Sequence, residues 1–218
     1  MKKGDFLWGL VLALFVVLLV IPGTREVFIS FTKVHPYMAG FLKFSILATM
    51  GELLGGRIVS GDWNNKPNGL IYRAIVWGFL GMLLVIVFEI YGSGVAAAQK
   101  KGLLPAGTGI IYAFLVSFLN NITFAPVLMG AHKIADTFID LKYERSNEPI
   151  TVSKIAKRID WDCFLSFVIF KTIPFFWIPA HTITFMLPPE YKVIFAASLS
   201  IVLGCILAIA KKKSIKIA

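Results

Sequence analysis

Four ionisable side chains lie inside long apolar runs of this sequence: Lys43, Glu52, Glu89 and Lys171. A charged side chain is costly in hydrocarbon, so each is expected to pair or to face water. A helical rise of about 1.5 Å per residue places Lys43 and Glu89 at similar depth, and Glu52 and Lys171 together on the other side of the midplane. We therefore predict two buried ion pairs, Lys43 with Glu89 and Glu52 with Lys171.

Two adjacent amides add polarity near the centre of another apolar run. Asn120 and Asn121 lie midway along the stretch 102–132, which has no formally charged residue. Together with Glu52 and Lys171 they could line a polar, water-accessible path through a membrane. They could equally hydrogen-bond between helices and serve packing alone. Both interpretations are open at this point.

Histidine and carboxylates suggest a metal site in one other place. His132, Asp136 and Asp140 stand at i, i+4 and i+8, so one helix face could present a set of metal ligands. The same spacing is common at the solvated end of a helix, and we favour that interpretation. Cys163 and Cys205 have no metal or disulfide spacing. We predict no metal and no other cofactor.

The sequence shows no sign of an active site. It has no histidine cluster, no nucleophile beside a base and no phosphate-binding glycine loop. We therefore predict that the protein is not an enzyme.

The composition decides which elements must position these residues. Of 218 residues, 57% are hydrophobic and only 16% are charged, which indicates an integral membrane protein. A membrane-spanning helix needs about 20 apolar residues. The runs predict an all-α, polytopic transmembrane helix bundle in one domain, 1–218, with a cytoplasmic connector over 132–161. The six predicted helices cover roughly 6–24, 36–59, 74–98, 107–131, 163–187 and 192–210.

The distribution of basic residues explains the net charge of +10. With six spans and a cytoplasmic N-terminus, five Lys and Arg fall outside, and fifteen fall inside, where they can also contact anionic lipids. Both termini are therefore predicted to be cytoplasmic, and nucleic acid is not an expected partner. The outside residues are Arg25, Lys33, Lys100, Lys101 and Lys192. The inside residues are Lys2, Lys3, Arg57, Lys66, Arg73, Lys133, Lys142, Arg145, Lys154, Lys157, Arg158, Lys211, Lys212, Lys213 and Lys216.

Proline and glycine mark special positions within the spans. Pro126, Pro174 and Pro179 have no N–H, so each leaves one helical carbonyl without its hydrogen-bond donor. Such prolines occur in broken helices that border cavities of transporters, and also in simple helix kinks. Gly51, Gly55 and Gly56 permit close helix contact, either within the chain or in a homo-oligomer.

Three separated motifs resemble one family, the Mpv-seventeen and 22-kilodalton peroxisomal membrane proteins. NNITFAP, 120–126, resembles the family's Asp-Gln-x-x-Phe-Ala-Pro, with two asparagines in place of the acid and the amide. Gly51 with Glu52 resembles its Gly-Asp, and Arg73 with Gly78 resembles the Arg and Gly of the next helix. The third match falls on or within one residue of the family pattern at Trp177, His181, Thr184, Phe185, Pro189 and Lys192.

The resemblance implies a pore-forming, weakly selective channel. We therefore expect a channel or facilitator for small molecules or ions, and the alternative is a non-conducting structural or partner-binding membrane protein. The Ile- and Lys-rich composition favours a divergent bacterial member in the plasma membrane, with an organelle membrane expected in a eukaryote. The candidate lining residues are Glu52, Asn120, Asn121, Lys171, Trp177 and His181.

Overall fold

The computed structural model describes residues 2–63, 67–144 and 148–217, with the main chain alone at 207 and 210–217. Within these ranges the chain is helical, with no β-strand. The helices are α1 (Lys3–Val20), α2 (Pro22–Val34), α3 (Pro36–Ser60), α4 (Leu70–Lys100), α5 (Ile110–Thr123), α6 (Ala125–Tyr143), α7 (Val152–Arg158), α8 (Trp161–Cys163), the π-helix π1 (Phe164–Trp177), α9 (Ile178–Met186) and α10 (Pro189–Ile217).

The candidate membrane spans agree with the predicted all-α bundle. In the described ranges, five helical segments are long and apolar enough to cross a membrane, and the bent pair α5 and α6 makes a sixth if it is one span. The fold class is therefore confirmed, with five to six spans. The five segments are Lys3–Val20, Pro36–Ser60, Leu70–Lys100, Trp161–Met186 and Pro189–Ile206.

The first predicted span ends earlier than expected. α1 stops at Val20, and Pro22 begins α2 at a position where its missing N–H is not needed. The Thr24 hydroxyl donates to the main-chain oxygen of Leu18 at 3.1 Å, which satisfies one of the free carbonyls at the end of α1. The residues after this break, expected to be a connection, form a helix whose Phe28 is buried against the core.

The fourth predicted helix is broken near its middle. α5 ends at Thr123, and α6 continues at an angle of 45°. Pro126 lies in the first turn of α6, where it cannot donate a hydrogen bond back into α5. α6 then runs to Tyr143, well into the predicted connector 132–161. This extension makes His132, Asp136 and Asp140 part of one rigid helix.

The fifth predicted helix contains an interruption of an uncommon kind. π1 runs through Pro174 and passes directly into α9. At its end the main-chain N–H of Ile178 donates to the oxygen of Ile173, a residue five positions earlier, as in a π-helix. π-Helices are normally single turns, so a segment of 14 residues is unusual. The wider coil accommodates a proline that supplies no donor.

Close helix packing fixes α3 at the centre of the bundle. A methyl group on Gly51 would lie 2.7 Å from the main-chain oxygen of Ser200 on α10. A methyl group on Gly40 would lie 2.8 Å from the main-chain oxygen of Gly81 on α4. The contact predicted at Gly51 is therefore made within the chain.

Ion pairs distinguish the two ends of the bundle. At one end, Arg57 pairs with Asp5 at 2.9 Å, which brings the start of α1 to the end of α3. It contains residues 2–5, 57–63, 67–73 and 136–144, and we call it the basic end after its five Lys and Arg side chains, which five Asp and Glu side chains accompany. At the opposite end, Lys33 of α2 pairs with Glu190 of α10 at 2.9 Å.

Candidate functional site

A small internal cavity lies between the central helices. Its volume is about 40 Å³, which is room for roughly two or three water molecules. Two larger surface grooves, of about 550 and 530 Å³, lie near His35, and no predicted site residue lines them. We call the internal cavity the chamber. Its lining residues are Phe44, Trp77, Leu84, Asn120, Asn121, Phe124, Ala125, Leu128, Met129, Trp177, His181, Ala196 and Ser200.

The Asn121 amide connects α5 to α9 beside the chamber. Its Nδ2 donates to the main-chain oxygen of Ser117 at 2.8 Å and to Nδ1 of His181 at 3.1 Å. The Ser117 hydroxyl donates to the main-chain oxygen of Ile178 at 2.7 Å. Because a main-chain oxygen can only accept, these partners assign the amide nitrogen and make His181 Nδ1 an acceptor. The imidazole is therefore uncharged in this arrangement.

Three buried polar atoms of chamber-lining residues have no hydrogen-bond partner among the described residues. They are Asn120 Oδ1, Asn121 Oδ1 and Trp177 Nε1. Asn120 is only 1% exposed and Asn121 is fully buried. A buried polar atom without a partner costs about 1–3 kcal/mol. Residues with three unpaired polar atoms thus border a chamber whose wall is mainly apolar.

The remaining wall of the chamber is mainly aromatic and aliphatic. The ring of Phe44 stacks on that of Trp77 with centroids 6.3 Å apart, and the ring centroids of Trp177 and His181 are 5.2 Å apart. Among the described residues that line the chamber, none is Lys, Arg, Asp or Glu. The polarity of the chamber is therefore that of neutral groups.

Trp77 separates the chamber from a group of ionisable side chains. Its Nε1 donates to Glu52 Oε1 at 2.7 Å, and its ring packs against that of His132 with centroids 4.0 Å apart and the planes tilted by 36°. His132 Nε2 lies 3.7 Å from Glu52 Oε1, and Nδ1 lies 3.6 Å from Asp136 Oδ2. Both separations are too long for hydrogen bonds. We call Glu52, Arg73, His132, Asp136 and Asp140 the charged cluster.

Arg73 holds the charged cluster together. Its guanidinium contacts Asp136 Oδ1 at 2.9 Å and Asp140 Oδ1 at 2.6 Å, and its Nε donates to the main-chain oxygen of Asn68 at 2.9 Å. The Arg73 side chain is only 7% exposed. A buried guanidinium needs such partners, because its solvation by water is lost.

The structure changes the composition of the possible metal-ligand set. Glu52, His132 and Asp136 place one ligand atom each within 4.8 Å of one another. Glu52 from α3 thus takes the place that the helix spacing gave to Asp140. Arg73 contacts both Asp136 and Asp140, and its single positive charge balances one of these two carboxylates. Of the possible ligand set, Asp136 alone is paired with this guanidinium.

The predicted pair between Lys43 and Glu89 is wrong. The Lys43 ammonium donates to Thr32 Oγ1 at 2.9 Å and lies 4.4 Å from the centre of the Phe28 ring. Glu89 is exposed and accepts a hydrogen bond from Ser93 at 2.9 Å. The unpredicted helix α2 covers Lys43 and supplies both of its contacts.

The predicted pair between Glu52 and Lys171 is also wrong. Glu52 faces Trp77 and His132, on α4 and α6. Lys171 is exposed on π1 and forms no salt bridge with Glu52. Equal depth did not bring these residues together, because depth does not determine which way a side chain points around its helix axis.

Four of the six predicted lining residues come together at the chamber: Asn120, Asn121, Trp177 and His181. Glu52 lies beyond Trp77, and Lys171 lies outside the site. The sequence analysis missed Trp77, which contacts both the chamber and the charged cluster. A signal existed, since Trp77 follows Arg73 by four residues and so shares its helix face.

Comparison with known proteins gives no assignment. No protein-family model, no curated protein and no solved structure matches this chain.

Proposed function

We propose that the protein is a membrane channel or facilitator for small solutes, and that the chamber lies on the solute's route. The observation that carries this proposal is that three residues with an unpartnered buried polar atom, Asn120, Asn121 and Trp177, line one cavity. Residues that served packing alone would be expected to bond to neighbouring helices. The resemblance to a family of pore-forming membrane proteins supports the same function.

One face of α6 suggests the route between the basic end and the chamber. Asp140, Asp136 and His132 follow one another at four-residue steps, and Met129 on the same helix lines the chamber. Their side-chain exposure falls from 48% to 18% to 14% along this face. Trp77 closes the inner end of the route. In this mechanism a solute passes when the indole moves away from Glu52 and His132.

Solute flux into liposomes tests the proposal with the variant Asn120→Leu. Leucine has a similar volume but removes the amide of this lining residue, whose Oδ1 has no partner among the described residues. We expect flux to fall about tenfold, the effect of losing one buried hydrogen bond worth ~1.4 kcal/mol. Stopped-flow light scattering against protein-free liposomes measures it.

Two further variants sharpen this measurement. Ile122→Leu changes a side chain that is 45% exposed on the same helix, so flux should stay at the wild-type rate. Lys171→Met distinguishes a route through the chamber from the path predicted by sequence, which included Lys171. For a route through the chamber we expect unchanged flux, because Lys171 is exposed and does not line the chamber. Wild-type flux no faster than that of protein-free liposomes would reject the proposal.

The second candidate is a non-conducting structural protein. It is favoured by the hydrogen bonds through which Asn121 and Ser117 connect α5 with α9. This role predicts that Asn121→Leu lowers the thermal stability in detergent, and that no variant changes solute flux. Neither candidate includes a catalytic step.

A further inference from the structure

We infer that Glu52, His132 and Asp136 form a binding site for one divalent transition-metal ion. From spacing alone a solvated helix end was favoured here, because nothing in the sequence places Glu52 of α3 beside His132. Binding of the ion does not depend on the proposed function, because none of these three residues lines the chamber.

Two helices bring the three side chains together. Glu52 lies on α3, and His132 and Asp136 lie one turn apart on α6. Each offers a ligand atom within 4.8 Å of the other two. The separation of 3.7 Å between His132 Nε2 and Glu52 Oε1 is too long for a hydrogen bond. It is close to the roughly 3.4 Å expected between two ligand atoms that each lie about 2.1 Å from one tetrahedral metal ion.

His132 Nε2 is a buried ring nitrogen without a partner. It forms no hydrogen bond with any described residue. Only 14% of the His132 side chain is exposed, and its ring packs against Trp77. A neutral imidazole binds metal ions through an unprotonated ring nitrogen. A metal ion between His132 and Glu52 would therefore give this nitrogen the partner that the protein does not supply.

The charges around the site favour a divalent cation. The carboxylates of Glu52, Asp136 and Asp140 carry three negative charges when ionised, and Arg73 supplies one positive charge. Glu52, whose side chain is only 22% exposed, forms no salt bridge with a described Lys or Arg. Lys133, the next residue along α6, is exposed. A divalent ion would bring the charge of these four groups to zero and would compensate a carboxylate that has lost most of its water.

Neighbouring groups hold both carboxylates in place. Trp77 Nε1 donates to Glu52 Oε1 at 2.7 Å, and Arg73 contacts Asp136 Oδ1 at 2.9 Å. Such outer contacts orient the ligands in metal sites. One imidazole with two carboxylates favours Zn²⁺ or Fe²⁺ over Mg²⁺ and Ca²⁺, which prefer oxygen ligands alone. Three protein ligands leave one coordination position to water.

The site is open towards the basic end of the bundle. Along α6, the side chains of Asp136 and Asp140 are 18% and 48% exposed. A metal ion can therefore enter from solvent at that end without passing through the chamber.

Zinc binding to the full-length protein in detergent tests the site. The background carries Cys163→Ser and Cys205→Ser, because a cysteine thiolate also binds Zn²⁺. Metal is first removed with a chelator, and calorimetric titration then gives the stoichiometry and the Kd. We expect one Zn²⁺ per chain, bound at least about 100-fold more tightly than Mg²⁺.

Conservative substitutions locate the bound ion. Glu52→Gln keeps an oxygen that can accept from Trp77 but removes the charge, and His132→Phe keeps a ring but removes both nitrogens. We expect each variant to weaken Zn²⁺ binding at least about 100-fold. His35→Gln changes an exposed histidine at the opposite end, and Asp140→Asn changes a carboxylate outside the ligand set. Both controls should change the Kd less than about fivefold.

Each variant is first compared with the background protein by its melting temperature without metal, so that a loss of folding is not taken for a loss of binding. No Zn²⁺ binding by the background protein, or unchanged binding in both Glu52→Gln and His132→Phe, would overturn the site. Equal affinity for Mg²⁺ would overturn the transition-metal class. Loss of binding in Asp140→Asn with unchanged binding in Glu52→Gln would overturn the ligand set.

Discussion

Trp77 lies between a group of charged side chains and a chamber bordered by neutral ones. On one side, its N–H donates to the Glu52 carboxylate, next to carboxylates held by Arg73. On the other side it lines a chamber whose polar groups are neutral amides, an indole and an imidazole. Charge close to a low-dielectric cavity would act strongly on its contents. The indole therefore keeps the Glu52 carboxylate out of direct contact with the chamber.

Arg73 provides a prediction about stability. Arg73→Met leaves Asp136 and Asp140 without their cation, and the arginine side chain is 7% exposed. We expect the free energy of unfolding to fall by about 3–5 kcal/mol, as for a buried ion pair that loses one partner. Thermal unfolding in one detergent, followed by tryptophan fluorescence, measures the change.

Arg158→Met is the matched control for this prediction. Arg158 pairs with Glu144 at 2.6 Å, but the two side chains are 60% and 41% exposed. An exposed pair contributes about 0–1 kcal/mol. Equal losses in the two variants would contradict the structural role of Arg73.

Some of these residues could be predicted from sequence and others could not. Asn120, Asn121 and His181 are polar groups in apolar runs, and such groups must turn inward to find partners. Trp77 was not predicted, because a tryptophan within an apolar run counts as one more apolar residue. Lys43 and Lys171 were misassigned because sequence depth does not fix direction around a helix, and Lys43 took its partner from a helix that was not predicted.

At the scale of elements, the contact between α3 and α10 depends on Gly51. Gly51→Ala would place a methyl group 2.7 Å from the main-chain oxygen of Ser200, which cannot rotate away. The helices must separate, and such overpacking costs about 1–3 kcal/mol. We expect a lower melting temperature in the same detergent.

Gly55→Ala is the control on the same helix. Its methyl group would lie 3.6 Å from the oxygen of Gly204, an ordinary contact. Alanine is also a better helix former than glycine by about 1 kcal/mol. The control should therefore melt at or above the wild-type temperature. A similar fall for both variants would contradict the close packing at Gly51.

The elements themselves were predictable where hydrophobicity is continuous. α3, α4 and α10 are long apolar runs, and they occur close to their predicted places. The breaks were harder, because a proline can end a helix, kink it or be absorbed in it. Pro22 starts a new helix, Pro126 accompanies a bend of 45°, and Pro174 is absorbed in π1. Only tertiary contacts decide between these outcomes.

At the scale of the whole molecule, the two ends of the bundle differ in how many Lys and Arg side chains they carry. At the basic end, Arg57 and Arg73 are accompanied by three carboxylates, those of Asp5, Asp136 and Asp140. Arg158 of α7 pairs with Glu144 just after α6, which places α7 at the same end. The turn after Lys100 lies at the other end of α4. The bundle therefore presents two distinguishable faces to the two sides of a membrane.

This difference predicts the orientation, because basic residues are retained on the cytoplasmic side. We propose that the basic end and both termini are cytoplasmic. Lys157→Cys on α7 and Lys101→Cys after α4 change two exposed lysines at opposite ends, in a background with Cys163→Ser and Cys205→Ser. In intact cells that carry the protein in the plasma membrane, a membrane-impermeant maleimide should label Cys at position 101 at once, and Cys at position 157 only after permeabilisation. The reverse pattern would place the charged cluster, and the start of the proposed route along α6, on the side away from the cytoplasm.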